Sequence, residues 1–170
     1  GLPLLVDDSY YQSLFPDAID NTLFSFDGTY NNEEYLTNGE GYWLRFNSDG
    51  STTITGIPIN ELTIGLSEGW NLVSGISQTV SIGSVFDPSG IIVPNTLFEF
   101  TGIYEVSEEL VPGMGYWLRA SEAGNITISG GAMARSSSKD YNLKEKANTL
   151  SINGLDLFFG IELSEKEMLS

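Results

Sequence analysis

The chain has 170 residues, of which 41% are hydrophobic and 12% aromatic, and its formal net charge at pH 7 is −16. It contains neither cysteine nor histidine, which excludes disulfides, thiolate nucleophiles and the usual zinc ligands and leaves carboxylates for any acid or base chemistry. The negative charge disfavours nucleic acids and anionic membrane surfaces as partners, and no apolar run approaches the roughly 18 to 20 residues of a membrane helix.

The first 58 residues follow a pattern of short strands separated by turns. An apolar strand is predicted at 1–6, a single helical turn at 10–15, and a hairpin at 23–30, where Asp-Gly separates two aromatic segments. Further strands are predicted at 39–45 and at 51–55, the second because β-branched residues dominate it. The pattern predicts a small all-β unit, a meander of strands with a barrel-like or sandwich-like core.

The strand predicted at 39–45 has the sequence Gly-Glu-Gly-Tyr-Trp-Leu-Arg, and we call it the signature strand. Alternate residues of a strand share a face, so Tyr42 and Leu44 are predicted to point to one side and Trp43 and Arg45 to the other. The glycines permit a turn or a close backbone approach before the aromatic pair.

An internal repeat organises the chain. Residues 1–58 align without a gap to residues 75–132 and share 21 of 58 positions, including a second signature strand at 113–119. We therefore predict two tandem units of the same fold, repeat one at 1–58 and repeat two at 59–132. They should pack together and superpose at their signature strands.

Repeat two contains an apolar strand that has no counterpart in repeat one. This strand, Gly-Trp-Asn-Leu-Val-Ser at 69–74, precedes the aligned region, and the matching position of repeat one lies before residue 1. Repeat one is therefore expected to have lost its leading strand and to expose a sheet edge and an unfilled apolar slot. Trp70, which shares a face with Leu72, is predicted to lie in the core.

The composition changes near residue 133. Residues 1–134 hold two basic and 17 acidic residues, whereas 135–170 hold five basic and six acidic residues. We predict a linker at 133–147 and a C-terminal tail at 148–170 that begins another domain with a hairpin around Asn153-Gly154.

A second role is predicted for part of this tail. The apolar segment 155–161 could reach back across a small domain, because the linker before it spans about 15 residues. We predict that it completes repeat one, either within the chain or by strand exchange with a second chain in a dimer.

With Gly-Trp-Asn-Leu-Val-Ser at 69–74 and Gly-x-Gly-Tyr-Trp-Leu at 39–44 and 113–118, the chain resembles the tandem repeat modules of large secreted or cell-surface proteins of environmental Gram-negative bacteria. The resemblance covers most of residues 1–132. It implies an accessory module near the C-terminus of a larger protein, and it carries over no catalytic residue.

The aromatic residues of the two signature strands are the candidate ligand contacts. Trp43 and Trp117 have flat apolar faces of the kind on which sugar rings stack, and Tyr42 and Tyr116 stand beside them. The favoured alternative is structural, because large aromatic side chains in a small β unit fill the core or the contact between repeats.

The two arginines of the signature strands are also candidates. Arg45 and Arg119 are the only basic residues before position 135, and they occupy the same position in both repeats. Each is predicted to contact an aromatic ring or a carboxylate of its own repeat, for example Glu34 or Glu108. The functional alternative is a contact with an anion or a sugar hydroxyl.

The acidic residues give little support to catalysis or to metal binding. A glycosidase needs two carboxylates at a defined separation across a cleft, whereas the adjacent acids of this chain are explained more simply as solvated loops. Asn47, Asp49 and Ser51 resemble half of a calcium loop, but no glutamate closes it. No metal site or cofactor is therefore predicted, and calcium stays open without further support.

These observations predict a non-catalytic β-repeat module of a secreted or cell-surface bacterial protein, which acts as a spacer or interaction unit. Its partners would be a polysaccharide or other domains of the parent protein. The alternative is a carbohydrate-binding module appended to a polysaccharide-degrading enzyme, with the signature aromatics as platforms. A carboxylate-based glycoside hydrolase is least favoured, because small repeats leave little room for a cleft.

Overall fold

The computed structural model describes residues 1–131 in full and, beyond them, the strands at 148–152 and 155–159. The chain divides into two compact units, Gly1–Met133 and Ala134–Ser170. No helix of the described residues is long and apolar enough to cross a membrane.

The described part of the first unit consists of short strands with very little helix. The helical elements are α1 (Tyr11–Leu14) and one 3-10 turn (Ile82–Ser84). The strands are β1 (Leu4–Leu5), β2 (Phe24–Phe26), β3 (Tyr30–Asn32), β4 (Ile57–Pro58), β5 (Glu61–Leu66), β6 (Gly69–Ser74), β7 (Val80–Ser81), β8 (Phe98–Phe100), β9 (Tyr104–Val106), β10 (Glu109–Leu110), β11 (Gly115–Ala120) and β12 (Gly124–Ser129). The all-β class predicted from the sequence is confirmed.

The strand order differs from a meander. The largest sheet has the order β6-β11-β8-β9, and β5 pairs separately with β12, all antiparallel. The meander prediction is wrong for repeat two, because β6 pairs with β11 and β5 with β12, which lie far along the chain, rather than with the strands next to them in sequence. That choice leaves fewer backbone groups without partners. The strands of the described residues form no closed barrel.

Each repeat has its own hydrophobic core. The core of repeat two has 13 buried residues from both the large sheet and the β5–β12 ladder, among them Tyr116, Leu118 and Ile128. The core of repeat one has five, and Tyr42 and Leu44 pack against it while only partly buried. The predicted alternation of the signature strand is confirmed, because the Tyr-Leu face meets the core in both repeats.

The signature strand is fully formed only in repeat two. In repeat one the same residues make isolated bridges at Glu40, Trp43 and Phe46, and the strand predicted at 51–55 is not formed. The strands that pair with the equivalent segments of repeat two are β6 and β5, which have no counterpart among residues 1–58. Strand propensity alone is not enough, because a segment forms a ladder of backbone hydrogen bonds only where a partner strand lies beside it.

Local geometry is nevertheless shared at equivalent positions of the two repeats. The hydroxyl oxygens of Tyr42 and Tyr116 each accept a hydrogen bond of 2.9 Å from the backbone N–H five residues earlier. Asn21 and Asn95 both adopt a left-handed backbone, with φ of 58° and 59°. The hairpin predicted at 23–30 is present as the β2–β3 pair.

The expected open edge of repeat one is filled in part by repeat two. The Gly41 N–H donates to the carbonyl of Leu72 (3.0 Å), and the Ser74 N–H donates to the carbonyl of Gly39 (2.8 Å). Strand β6 therefore contacts both signature segments, β11 along its whole length and repeat one at one end only.

The second unit contains the antiparallel pair β13 (Asn148–Ile152) and β14 (Leu155–Phe159). Strand β14 belongs to the segment 155–161 that the sequence predicts to complete repeat one, and here it has β13 as its neighbour. The predicted turn at Asn153-Gly154 and the predicted linker at 133–147 lie outside the described residues.

Candidate functional site

Aromatic side chains form the contact between the two repeats. Phe26 of repeat one packs edge-on against Trp117 of repeat two, with ring centroids 4.8 Å apart, and Phe100 packs in the same way against Trp43 at 5.2 Å. The two contacts are reciprocal, because Phe26 and Phe100 are equivalent positions, as are Trp43 and Trp117. Each such pair contributes about 0.5 to 1.5 kcal/mol beyond its buried area.

The absence of a side chain at Gly41 permits the backbone of repeat one to lie close to strand β6. A Cβ atom on Gly41 would lie 2.6 Å from the carbonyl oxygen of Val73, a distance at which the backbone would have to move. A Cβ on Gly115 would meet its nearest neighbour, the Cα of Gly41, at 3.6 Å, an ordinary contact. Of these two equivalent positions, only position 41 leaves no room for a Cβ atom.

Trp70 is exposed, and its prediction as a core residue is wrong. It is 43% accessible, although its ring contacts Phe98 and Trp117 at centroid distances of 5.9 and 6.4 Å. Leu72, on the same face of β6, is buried. Repeat one makes backbone hydrogen bonds to the Leu72–Ser74 end of β6 and none to the end that carries Trp70.

An apolar pocket of about 390 Å³ lies beside Trp70. Its wall is entirely aromatic, and it is lined by Phe26, Trp70, Phe98, Tyr104 and Trp117. A smaller set, Phe24, Tyr30 and Trp43, lines the equivalent pocket of repeat one. That second pocket lacks the counterpart of Trp70.

A polar groove of about 690 Å³ adjoins the aromatic pocket and shares Phe26 and Trp70 with it. It lies between the β2–β3 hairpin, the turn at 37–41 and strands β5 and β6. Its lining includes no basic residue and has four carboxylates, which are Asp27, Glu33, Glu40 and Glu68. The groove therefore has a negative potential next to an aromatic surface.

The groove offers hydrogen-bond acceptors more than donors. The side-chain amide of Asn31 donates to Asp27 Oδ1 over 2.7 Å, and that of Asn71 donates to the carbonyl of Ser67 over 2.9 Å. The carboxylate of Glu68 is exposed and accepts no hydrogen bond from the described residues. A ligand rich in hydroxyl or ammonium donors matches this arrangement.

Tyr42 does not line the groove, but it contacts Glu40, which does. Its hydroxyl donates to Glu40 Oε2 over 2.6 Å and accepts from the Thr37 N–H. Burial, together with the hydrogen bond to Glu40, raises the pKa of Tyr42 to about 12. Tyr42 is therefore neutral at physiological pH and holds one oxygen of Glu40 in place.

No family model, curated protein or solved structure matches the chain. The interpretation of the groove therefore rests on its geometry and on the sequence motifs. The described residues contain no cluster of acidic groups arranged to hold a metal ion, and Asn47, Asp49 and Ser51 are all exposed.

The residues predicted as ligand contacts do not form one site. Tyr116 is fully buried, Trp43 and Trp117 are half-buried at the contact between repeats, and only Trp117 adjoins Trp70. The indole nitrogen of Trp43 is buried and has no hydrogen-bond partner among the described residues.

Arg45 and Arg119 are exposed, and neither lies along the groove. Within residues 1–131 neither guanidinium makes an ion pair or contacts a ring, so the predicted partner in its own repeat is missing for both. Their backbone groups do match, because each N–H donates to a threonine hydroxyl over 3.3 Å. The two repeats therefore share the backbone contact at this position, and the guanidinium has no partner among residues 1–131 in either of them.

Trp70 lies at the centre of the site, but the sequence pattern did not indicate it as a ligand contact. One signal distinguishes it, since Trp43 and Trp117 match each other between the repeats and Trp70 has no match within residues 1–58. Phe26 and the carboxylates of the groove carried no signal of their own, because only the packing of repeat one against β5 and β6 brings them together.

Proposed function

We propose that residues 1–131 form a non-catalytic glycan-binding module, an accessory unit of a secreted or cell-surface protein. The observation that supports this proposal is the position of Trp70, which is 43% exposed where the aromatic pocket joins the polar groove. The proposed ligand is an uncharged segment of polysaccharide.

The chemistry of the two adjoining surfaces fits a sugar ring. The C–H face of a pyranose packs on an aromatic ring, while its hydroxyl groups donate to the oxygens of Asp27, Glu33 and Glu68. The groove volume of about 690 Å³ lies within the roughly 300 to 1,000 Å³ of small-ligand sites.

Charge narrows the class of glycan. Residues 1–131 carry 17 acidic groups against the two arginines, and four of the acidic groups line the groove. Uronic acids and sulfated sugars would be repelled, whereas neutral sugars would not.

The test is binding to a panel of soluble neutral polysaccharides, measured by affinity electrophoresis and calorimetry. We expect at least one neutral polysaccharide to bind and the Trp70→Ala variant to bind it at least about tenfold more weakly, which corresponds to roughly 1.4 kcal/mol. Phe46→Ala is the matched control, because Phe46 is also an exposed aromatic residue (45%) but lies outside the groove. Failure of the whole panel, or equal binding by Trp70→Ala, would refute the proposal.

A structural spacer is the second candidate function. The reciprocal Phe26–Trp117 and Phe100–Trp43 contacts favour it, because they join the repeats within one compact unit. In a pure spacer Phe26→Ala lowers the melting temperature and Trp70→Ala changes no binding property. The polysaccharide panel therefore separates the two candidates.

A further inference from the structure

Repeat one has an unpaired edge at its signature segment. Trp43 exchanges two backbone hydrogen bonds of 2.9 Å with Phe24, and the Arg45 carbonyl accepts from the Ile19 N–H. The backbone groups of the alternate residues Tyr42 and Leu44 therefore point to the opposite edge. There they find no backbone partner within residues 1–131.

The equivalent edge of repeat two is fully paired. Strand β6 runs along β11 in register from Ser74 opposite Gly115 to Gly69 opposite Ala120. In repeat two the edge that is open in repeat one is therefore paired along its whole length by β6.

A second segment of repeat one is unpaired in the same way. Residues 51–55 make no backbone hydrogen bond within the described residues, although Thr53-Ile54 is identical to Thr127-Ile128 of repeat two. In repeat two this dipeptide lies in β12 and pairs with Leu62-Thr63 of β5. We call residues 42–46 and 51–55 together the open edge.

Apolar side chains of the open edge are more exposed than their equivalents. Phe46 is 45% exposed where Ala120 is 1% exposed, and Ile54 is half-buried where Ile128 is fully buried. A strand added at this edge would remove apolar surface from water as well as pair the backbone, which are the two sources of affinity in strand addition.

We propose that the open edge binds a polypeptide segment that has the strand pattern of residues 61–74. That pattern is Glu-Leu-Thr-Ile-Gly-Leu-Ser-Glu-Gly-Trp-Asn-Leu-Val-Ser, with apolar residues alternating in each of its two strands. Repeat two identifies this occupant, because residues 61–74, as β5 and β6, fill the matching position there against the same Tyr-Trp-Leu-Arg sequence.

One continuous segment satisfies both halves of the open edge. Strands β5 and β6 are joined by only Ser67-Glu68, yet they belong to different sheets, one paired with β12 and the other with β11. A 14-residue segment of this pattern therefore reaches residues 42–46 and residues 51–55 at once. None of these residues lines the glycan groove. A negative result for strand binding would therefore leave the glycan proposal intact, and a negative result for glycan binding would leave this one intact.

The first test adds a synthetic peptide with the sequence of residues 61–74 to the whole chain and follows amide hydrogen exchange. We expect the amides of Tyr42, Leu44 and 51–55 to exchange at least about tenfold more slowly, and a control peptide with serine at its four leucine and isoleucine positions 62, 64, 66 and 72 to have no effect. Protection confined to repeat two, or dimers of the chain alone that already protect the open edge, would overturn the proposal.

The second test removes the dependence on peptide affinity. The same 14 residues are joined ahead of Gly1 through a flexible Gly-Ser linker, which raises their effective concentration to the millimolar range. We expect the fused segment to raise the melting temperature by about 3 °C or more relative to the fused serine control. Equal melting temperatures of the two fusions, with no protection of the open edge, would also overturn the proposal.

Discussion

Repeat one and repeat two carry the same Tyr-Trp-Leu-Arg sequence, but it forms a complete strand only in repeat two. The difference follows from what lies beside each segment, because β11 has β6 on one side and β8 on the other, whereas repeat one has a neighbour on one side only. The Tyr-Trp-Leu-Arg sequence therefore specifies which face of the segment meets the core and in which register. It forms a hydrogen-bonded strand along its whole length only where a partner strand lies beside it.

The comparison is tested most strongly by truncating the same leucine in each repeat. Leu118→Ala should lower the free energy of unfolding by about 2 to 5 kcal/mol, because Leu118 is fully buried and its removal leaves a cavity. Leu44→Ala should cost less than half as much, since Leu44 is only partly buried. Urea denaturation of both variants gives the ratio, and equal costs would mean that repeat one is as well packed as repeat two.

A smaller effect is expected from the equivalent glycines. Gly41→Ala should destabilise the protein by about 1 to 3 kcal/mol, because the new methyl group would lie 2.6 Å from the backbone oxygen of Val73. Gly115→Ala, whose nearest neighbour would be 3.6 Å away, is the matched control and should cost clearly less. Thermal unfolding measures both, and a costlier Gly115→Ala would contradict the close approach at Gly41.

The smallest effect concerns alkaline pH. Tyr42 has a pKa raised to about 12 in the folded protein, above its ordinary value of 10, mainly because of burial. The neutral tyrosine therefore contributes stability that is fully present below pH 10 and is lost as the pH rises through 12. Tyr42→Phe should flatten the stability profile over this range, whereas a profile with an unchanged slope would exclude Tyr42 as its cause.

Much of the local structure was predictable from the sequence. The β2–β3 hairpin, the helical turn α1 and the buried Tyr-Leu face follow from turn residues and alternation, which are signals within a few residues of each other. The pairing of β6 with β11 and of β5 with β12 was not predictable, because it joins segments more than 40 residues apart whose register has no local signal.

The candidate site was less predictable than the fold. Its parts come from both repeats, and Trp70 is exposed at the end of β6 to which repeat one makes no backbone hydrogen bond. Alternation along β6 places Trp70 on the same face as the buried Leu72 and therefore suggests burial for both. The exposure of Trp70 depends on the packing of segments that are distant in sequence, which no single segment specifies by itself.

The reciprocal Phe–Trp contacts have a consequence for the origin of the tandem arrangement. In a two-fold contact the same surface serves both partners, so a single repeat with a signature tryptophan and a hairpin phenylalanine is complementary to itself. Two separate copies would meet through this surface only at sufficient concentration, whereas linking them makes the encounter intramolecular. Two copies joined in one chain therefore make the contact of such a homodimer within a single molecule. Afterwards each copy is free to change, and β6, which serves both, is the strand whose loss would harm the two together.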